Sequence, residues 1–202
     1  METWEIRGRT LEYIDETHTY LVDGVIVPSI TQILKVKFGN KYNGVSKEVL
    51  NNAAKKGTEV HEAIENYCKT GEVKDLQEVK NFIFLQKQYK FGVRKNEVPV
   101  ILFKEDKPIG AGRFDLELEI SNSVGGGDIK RTATLDKEYL AYQLNIYRIA
   151  NRQSYGIEWQ FLKGLHLREN VRRFVDLPIN ENMAWSLIDE YLAKEKEECI
   201  TS

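Results

Sequence analysis

The sequence predicts a three-layer α/β domain of the α+β kind, with a central mixed β-sheet flanked by helices and an N-terminal β-hairpin ahead of it. Three observations support this. Segments rich in β-branched and aromatic residues gather at 11–27, 98–133 and 156–177. Between and after them lie stretches with apolar residues at three- and four-residue spacing. The order after the hairpin is helices, three strands, a helix, two strands and a helix, which suits a mixed sheet with helices on its faces.

Leu11–Ile14 and Thr19–Val22 alternate as strands, and Asp23-Gly24 forms a hairpin turn into Val25–Val27. Pro28 ends that strand, and Ser29 caps a short helix from Ile30 to Leu34. Residues 39–46 read as a polar loop. Its Gly39 and Gly44 begin like a phosphate-binding loop, but Val45-Ser46 stands where Gly-Lys-Ser/Thr is needed, so that reading fails. A helix follows from Ser46 to Ala54. Thr58 caps the next one, which runs to about Lys69 and stops at Gly71. An amphipathic helix spans 75–91, with Leu76, Val79, Phe82, Ile83, Leu85 and Tyr89 on its core side. Strands are expected over Val98–Phe103, Ala111–Ile120 and, after Gly125-Gly126-Gly127, Asp128–Ala133. A helix over 136–153, strands near 156–167 and 171–177, and a helix from Glu181 to about Glu198 complete the chain.

A chain of 202 residues is long enough for one domain that buries roughly 70% of its unfolded surface. Residues 1–202 are read as a single unit, with 1–45 an extension of hairpin and helix and 46–202 the core. The net charge is -2 with 30% charged residues, which neither favours nor excludes a nucleic-acid partner. The basic pairs Arg7/Arg9, Lys35/Lys37, Arg94/Lys95 and Arg172/Arg173 read as solvated surface, whereas Lys55/Lys56 immediately precede a histidine-bearing helix. Cys68 and Cys199 are the two cysteines, too few for a structural zinc or a four-cysteine iron–sulfur cluster. They are expected to be free thiols in a reducing compartment. No apolar run approaches the ~18 residues of a membrane span, and the N-terminus lacks a signal-peptide core. The reading is a cytoplasmic protein with no membrane contact.

Chemistry concentrates in 57–65 and 112–147. In Phe114–Ile120 the apolar residues take one strand face and Asp115, Glu117 and Glu119 the other. Asp128 and Lys130 share a face of the next strand while Ile129 points away. A hairpin through Ser121–Gly127 lets Asp115 lie beside Asp128. Adjacent carboxylates repel unless a cation neutralises them, and Mg²⁺ or Mn²⁺ suits oxygen ligands. The acid-x-Lys tripeptide alone is weak, since four occur and composition predicts about four. Only Asp128-Ile129-Lys130 sits in an expected inner strand after a Gly-x-x-Asp (Gly112 to Asp115) and before a helix with Gln143 and Tyr147 on one face. His61 lies on a helix with Glu65 one turn later, after Gly57-Thr58. His18 and His166 have no such context and receive no role.

This ordered set resembles the PD-(D/E)XK nuclease superfamily, in its RecB-like and phage-type exonuclease branch. The matching residues are His61, Asp115, the pair Asp128 and Lys130, and the pair Gln143 and Tyr147, over about 55–150. Phe114 stands where the superfamily's name has a proline, a departure common in this branch. The resemblance implies a restriction-endonuclease-like fold and hydrolysis of DNA phosphodiester bonds, single- or double-stranded. It implies a bacterial or phage-infected host cell and a role in phage or mobile-element recombination or repair. It further implies Mg²⁺, replaceable by Mn²⁺, held by His61, Asp115, Asp128 and the Ile129 carbonyl. Asp115, Asp128, Lys130, Gln143 and Tyr147 would be catalytic, with Glu65 and Lys56 as additional candidates. A homo-oligomer is compatible with it, and an iron–sulfur cluster is not expected. The alternatives are a non-catalytic DNA-binding protein on a nuclease fold and a metal hydrolase of small phosphoesters.

Overall fold

The computed structural model describes residues 1–39, 44 and 46–201, with side chains up to residue 197. Its first sheet is four-stranded and antiparallel: β1 (Glu2–Ile6), β2 (Arg9–Ile14), β3 (Thr19–Val22) and β4 (Val25–Val27), in that order. The expected hairpin is therefore half of a larger unit. β1 escapes a pattern reading because Glu2 falls on its Trp4/Ile6 face and leaves only two apolar residues in alternation. α1 (Ile30–Phe38) follows, started by Ser29, whose hydroxyl accepts from Gln32 N at 3.1 Å while the Gln32 side chain accepts from Ser29 N at 2.7 Å. The polar loop expected at 39–46 falls largely outside the described residues, as does the side chain of Cys199.

α2 (Lys47–Thr70) is one continuous helix where two were expected. The Thr58 hydroxyl does not cap. It donates to the Ala54 carbonyl at 3.2 Å, a bond that a helix interior tolerates. Ser46 caps the helix instead, and Gly71 ends it at φ +79°, the left-handed conformation glycine adopts freely. α3 (Gln77–Tyr89) comes next.

The second sheet runs β5 (Gly92–Lys104), β6 (Lys107–Ile120), β7 (Ser123–Lys130), β8 (Phe161–Arg168) and β9 (Val171–Leu177), in that spatial order. Neighbours are antiparallel except β7 and β8, which are parallel and joined through α4 (Lys137–Tyr155). This is the mixed sheet of a three-layer α+β fold. α1, α4 and α5 (Glu181–Thr201) form one apolar cluster with Val98, Val100 and Phe114. α2 and α3 form a second with Leu116, Leu118, Ile129 and Leu165. The first sheet covers Ile101, Phe103 and Ala111 in a third. Among the described residues, no helix is long and apolar enough to cross a membrane.

Gly125, Gly126 and Gly127 lie inside β7, not in a turn before it. The turn is Ser121-Asn122, both at positive φ, as a two-residue hairpin requires. The glycines are needed for space. A Cβ on Gly126 would overlap the Trp159 ring, which is fully buried and edge-on to Phe114. Gly126→Ala is expected to lower stability by about 1–3 kcal/mol, read by urea denaturation, because neither ring has room to shift. An unchanged midpoint would refute this tight fit.

Candidate metal centre

The expected two-face pattern of β6 holds only in part. Gly112 and Phe114 face Tyr147 of α4, whereas Leu116 and Leu118 face α2 and α3. The facing of the strand reverses at Asp115. Directly opposite, between the pairs Asn96↔Leu116 and Val98↔Phe114, sits Glu97, a non-glycine residue at φ +49°. Asp115 thus occupies a local irregularity that frees its carboxylate to reach across to β7. Its Oδ2 accepts from Ile129 N at 2.7 Å, tying the two strands together beyond their ladder.

His61 comes from α2 on the other side. Its Nε2–H donates to the Ile129 carbonyl at 3.2 Å, which fixes the ring and turns Nδ1 inward. Nδ1 lies 3.5 Å from Glu97 Oε1 and 3.7 Å from Asp115 Oδ2. One donor atom from each of His61, Glu97 and Asp115 falls within 4.8 Å of the others. This trio of one imidazole nitrogen and two carboxylate oxygens is a mixed donor set that suits a divalent transition cation such as Mn²⁺.

The trio differs from the set read off the sequence. Glu97 belongs to it and was not anticipated, because its place depends on the β5–β6 register. The Ile129 carbonyl is taken up by His61. Asp128 stands one strand further on, 2% exposed, with its Oδ2 2.5 Å from the Lys130 ammonium. Gln143 is buried on α4 and its side-chain oxygen has no protein partner. Tyr147 is buried against Phe114, close enough for the charges of Asp115 and Asp128 to act on it. Glu65 lines the same opening as His61, but its carboxylate is held by Lys69 at 2.6 Å. Lys56 is exposed on α2, one residue before Gly57 at the rim. Glu117, expected on the strand face of Asp115 and Glu119, is fully buried, with Arg94 Nε 3.8 Å away.

The charges explain one another. Burial, the largest influence on Asp128, raises its carboxyl to about 6, and the neighbouring Asp115 adds to the rise. Asp115 is raised by burial too, against the pull of His61 and Lys130. Burial works against the His61 imidazolium, but Asp115, Glu97 and Asp128 outweigh it and lift the ring to about 9. Lys130 behaves likewise: burial opposes its charge, while Asp128 and Asp115 hold the ammonium above its ordinary value. Burial pushes the Tyr147 phenol well upward. Arg113 adds a third cation, 3.0 Å from Glu97. Three carboxylates therefore face three cations while the imidazole keeps its second proton.

A cleft of about 610 Å³ opens over His61, Glu97 and Arg113, and its rim carries Glu2, Glu62 and Glu65. That acidic mouth attracts cations and repels bare phosphates.

No protein-family model matches the chain, and no curated protein matches it. A solved structure described as "Crystal structure of SSO0001" is similar in backbone course, with a TM-score of 0.48 and 14% sequence identity over 83% of this chain and 75% of that one.

A divalent ion bound to Nδ1 must displace the imidazole proton. Below about pH 9 the metal-free ring carries that proton, so Mn²⁺ affinity is expected to rise with pH, by up to about tenfold per unit, and level off above about 9. Titration calorimetry in buffers of different ionisation enthalpy should find about one proton released per ion near neutrality. A His61→Gln variant should release none at this step. Mn²⁺ binding that is flat across this range would contradict the trio.

Proposed function

We propose that the protein is a metal-dependent nuclease that hydrolyses phosphodiester bonds. The observation that carries this reading is the convergence of His61, Glu97 and Asp115 within 4.8 Å, beside a buried Asp128–Lys130 ion pair on the next strand. The order of His61, Asp115, Asp128 and Lys130 along the chain agrees with the PD-(D/E)XK resemblance, in which Glu97 has no part, and that resemblance supports DNA as polymer, Mg²⁺ as cofactor and an exonuclease mode.

His61, Glu97 and Asp115 would hold the cation, with Asp128 supplying a further carboxylate from β7. A cation held there would supply positive charge for the phosphoryl oxygens and a water of lowered pKa. The chain's own groups do the rest. Lys130 is a permanent cation here, since its two acid neighbours favour the ammonium. It offsets charge developing on the phosphoryl oxygens and donates a hydrogen bond that orients the attacking water. It does not accept the water's proton, because an ammonium has no free lone pair to receive one. Tyr147 stays a neutral phenol, so it can position a phosphate or sugar oxygen only by hydrogen bonding. The buried Gln143 oxygen lacks a protein partner and is suited to accept a hydrogen bond from a group entering the site.

The test uses end-labelled linear DNA, single- and double-stranded, and circular DNA, with Mg²⁺, Mn²⁺ or EDTA. Cleavage is expected with either metal and not with EDTA, leaving 5′-phosphate and 3′-hydroxyl ends, and circular DNA should resist an exonuclease. Lys130→Ala should lower kcat by about 10²–10³-fold, and Asp128→Asn should abolish cleavage, with unchanged circular dichroism in both. Glu97→Gln should raise the metal concentration needed for half-maximal rate. Full cleavage by both the Asp128 and Lys130 variants would overturn the reading. A preference for p-nitrophenyl phosphate over the polymer would redirect it to small phosphoesters.

A further inference from the structure

We propose that a second cleft, beside the metal centre on the face of the sheet that carries Asp128 and Lys130, binds a backbone phosphate of the polynucleotide. The proposal rests on the nuclease reading and extends it to how the strand lies on the protein. The cleft has a volume of about 370 Å³ and is lined by Lys137, His166 and Arg173 over an apolar floor that includes Leu135, Val171 and Val175. Register places it. Lys130 pairs with His166 of β8, and His166 pairs with Arg173 of β9. Register partners point to the same side, so Lys130, His166 and Arg173 form one row across three strands. Two strand spacings separate Lys130 from Arg173, about 10 Å, close to the rise of three stacked nucleotides.

Charge favours a phosphate there. No acidic side chain lines this cleft, in contrast to the four glutamates around the first. Among the described residues, neither Lys137 nor Arg173 makes an ion pair, whereas the acids nearby are engaged. Asp136 accepts from Tyr139 N, Asp176 holds Lys163, Glu138 holds Lys37 and Glu169 holds Arg131. The independent mark of a missing ligand is His166. It is 2% exposed, its Nε2–H donates to the Thr132 carbonyl at 2.7 Å, and its Nδ1 has no partner. Buried ring nitrogens are normally satisfied, so an empty one lining a cationic cleft indicates a polar group that arrives from outside, and a phosphate oxygen, itself an acceptor, meets Nδ1 only through a shared proton or a bridging water. The need is mutual. An acidic mouth cannot hold a strand by its phosphates, so the strand must be gripped from the basic end of the row.

Arg172 provides an internal control. It precedes Arg173 in β9, faces the other side of the sheet and stacks on Phe84 of α3, 3.6 Å from Cζ to the ring centre. The probe is a fluorescein-labelled single-stranded oligodeoxynucleotide, followed by anisotropy in EDTA so that nothing is cut. Arg173→Ala and Lys137→Ala are each expected to weaken binding by about 3–10-fold and to reduce the slope of log K against log salt by about 0.7. Arg172→Ala, which removes the same charge, should stay within about twofold of wild type. In Mg²⁺, Arg173→Ala should raise KM and leave kcat unchanged. Equal losses from Arg172→Ala and Arg173→Ala would overturn the cleft, as would inorganic phosphate competing as well, phosphate for phosphate, as the oligonucleotide. A wild type that binds and cuts DNA, unaltered by Arg173→Ala, removes this proposal alone. A wild type that binds no polynucleotide removes the nuclease reading along with it.

Discussion

Three carboxylates at the centre of this molecule cannot share a dry space unless positive charge is interleaved with them. Glu97, Asp115 and Asp128 come from three adjacent strands, and Asp128 is almost wholly shielded from water. Bare, such a cluster would force protons onto its members. Here Arg113, His61 and Lys130 alternate with the acids, each within about one hydrogen-bond length of a partner or slightly beyond. The imidazolium is the exchangeable member, since a divalent cation can take over its charge without disturbing the other two. The architecture around the site reads as a means of holding these six groups in register.

Backbone contacts provide much of that grip. The Asp115 carboxylate accepts from Ile129 N, and the Ile129 carbonyl accepts from His61, so a single residue of β7 fastens β6 on one side and α2 on the other. Ile129 itself points into the apolar cluster beneath α2 and α3, which holds that residue from below. Gly126 lets Trp159 lie flush on β7, and Trp159 in turn braces Phe114 next to Asp115. Small residues in β7 thus bear on a charged site several residues away through two aromatic rings.

The sheet carries charge in a graded row. Its β5–β7 side is acidic and opens onto a glutamate-rimmed cleft, whereas its β8–β9 side presents Lys137 and Arg173 over an apolar floor. A near-neutral total hides this separation completely. On the nuclease proposal, splitting metal binding and strand binding between two clefts avoids placing phosphate against glutamate.

Local rules were sufficient for much of this protein. Strand alternation alone put Asp128 and Lys130 on one face and Ile129 on the other, as in the structure, because a period of two needs no partner to be read. The Ser29 cap, the Gly71 stop and the order of strands and helices from α3 onward were legible for the same reason. What tertiary structure decided lies wherever two segments must meet. Glu97 joins the site only through the β5–β6 register and a positive φ that the sequence does not advertise. Glu117 is buried, and Gly125, Gly126 and Gly127 sit inside a strand where Phe161, Trp159 and Leu118 occupy the space that side chains would need. His166 acquires significance only when β8 lies beside β7. A chain records its own periodicity in its residues, whereas distances between segments far apart along it arise only from packing.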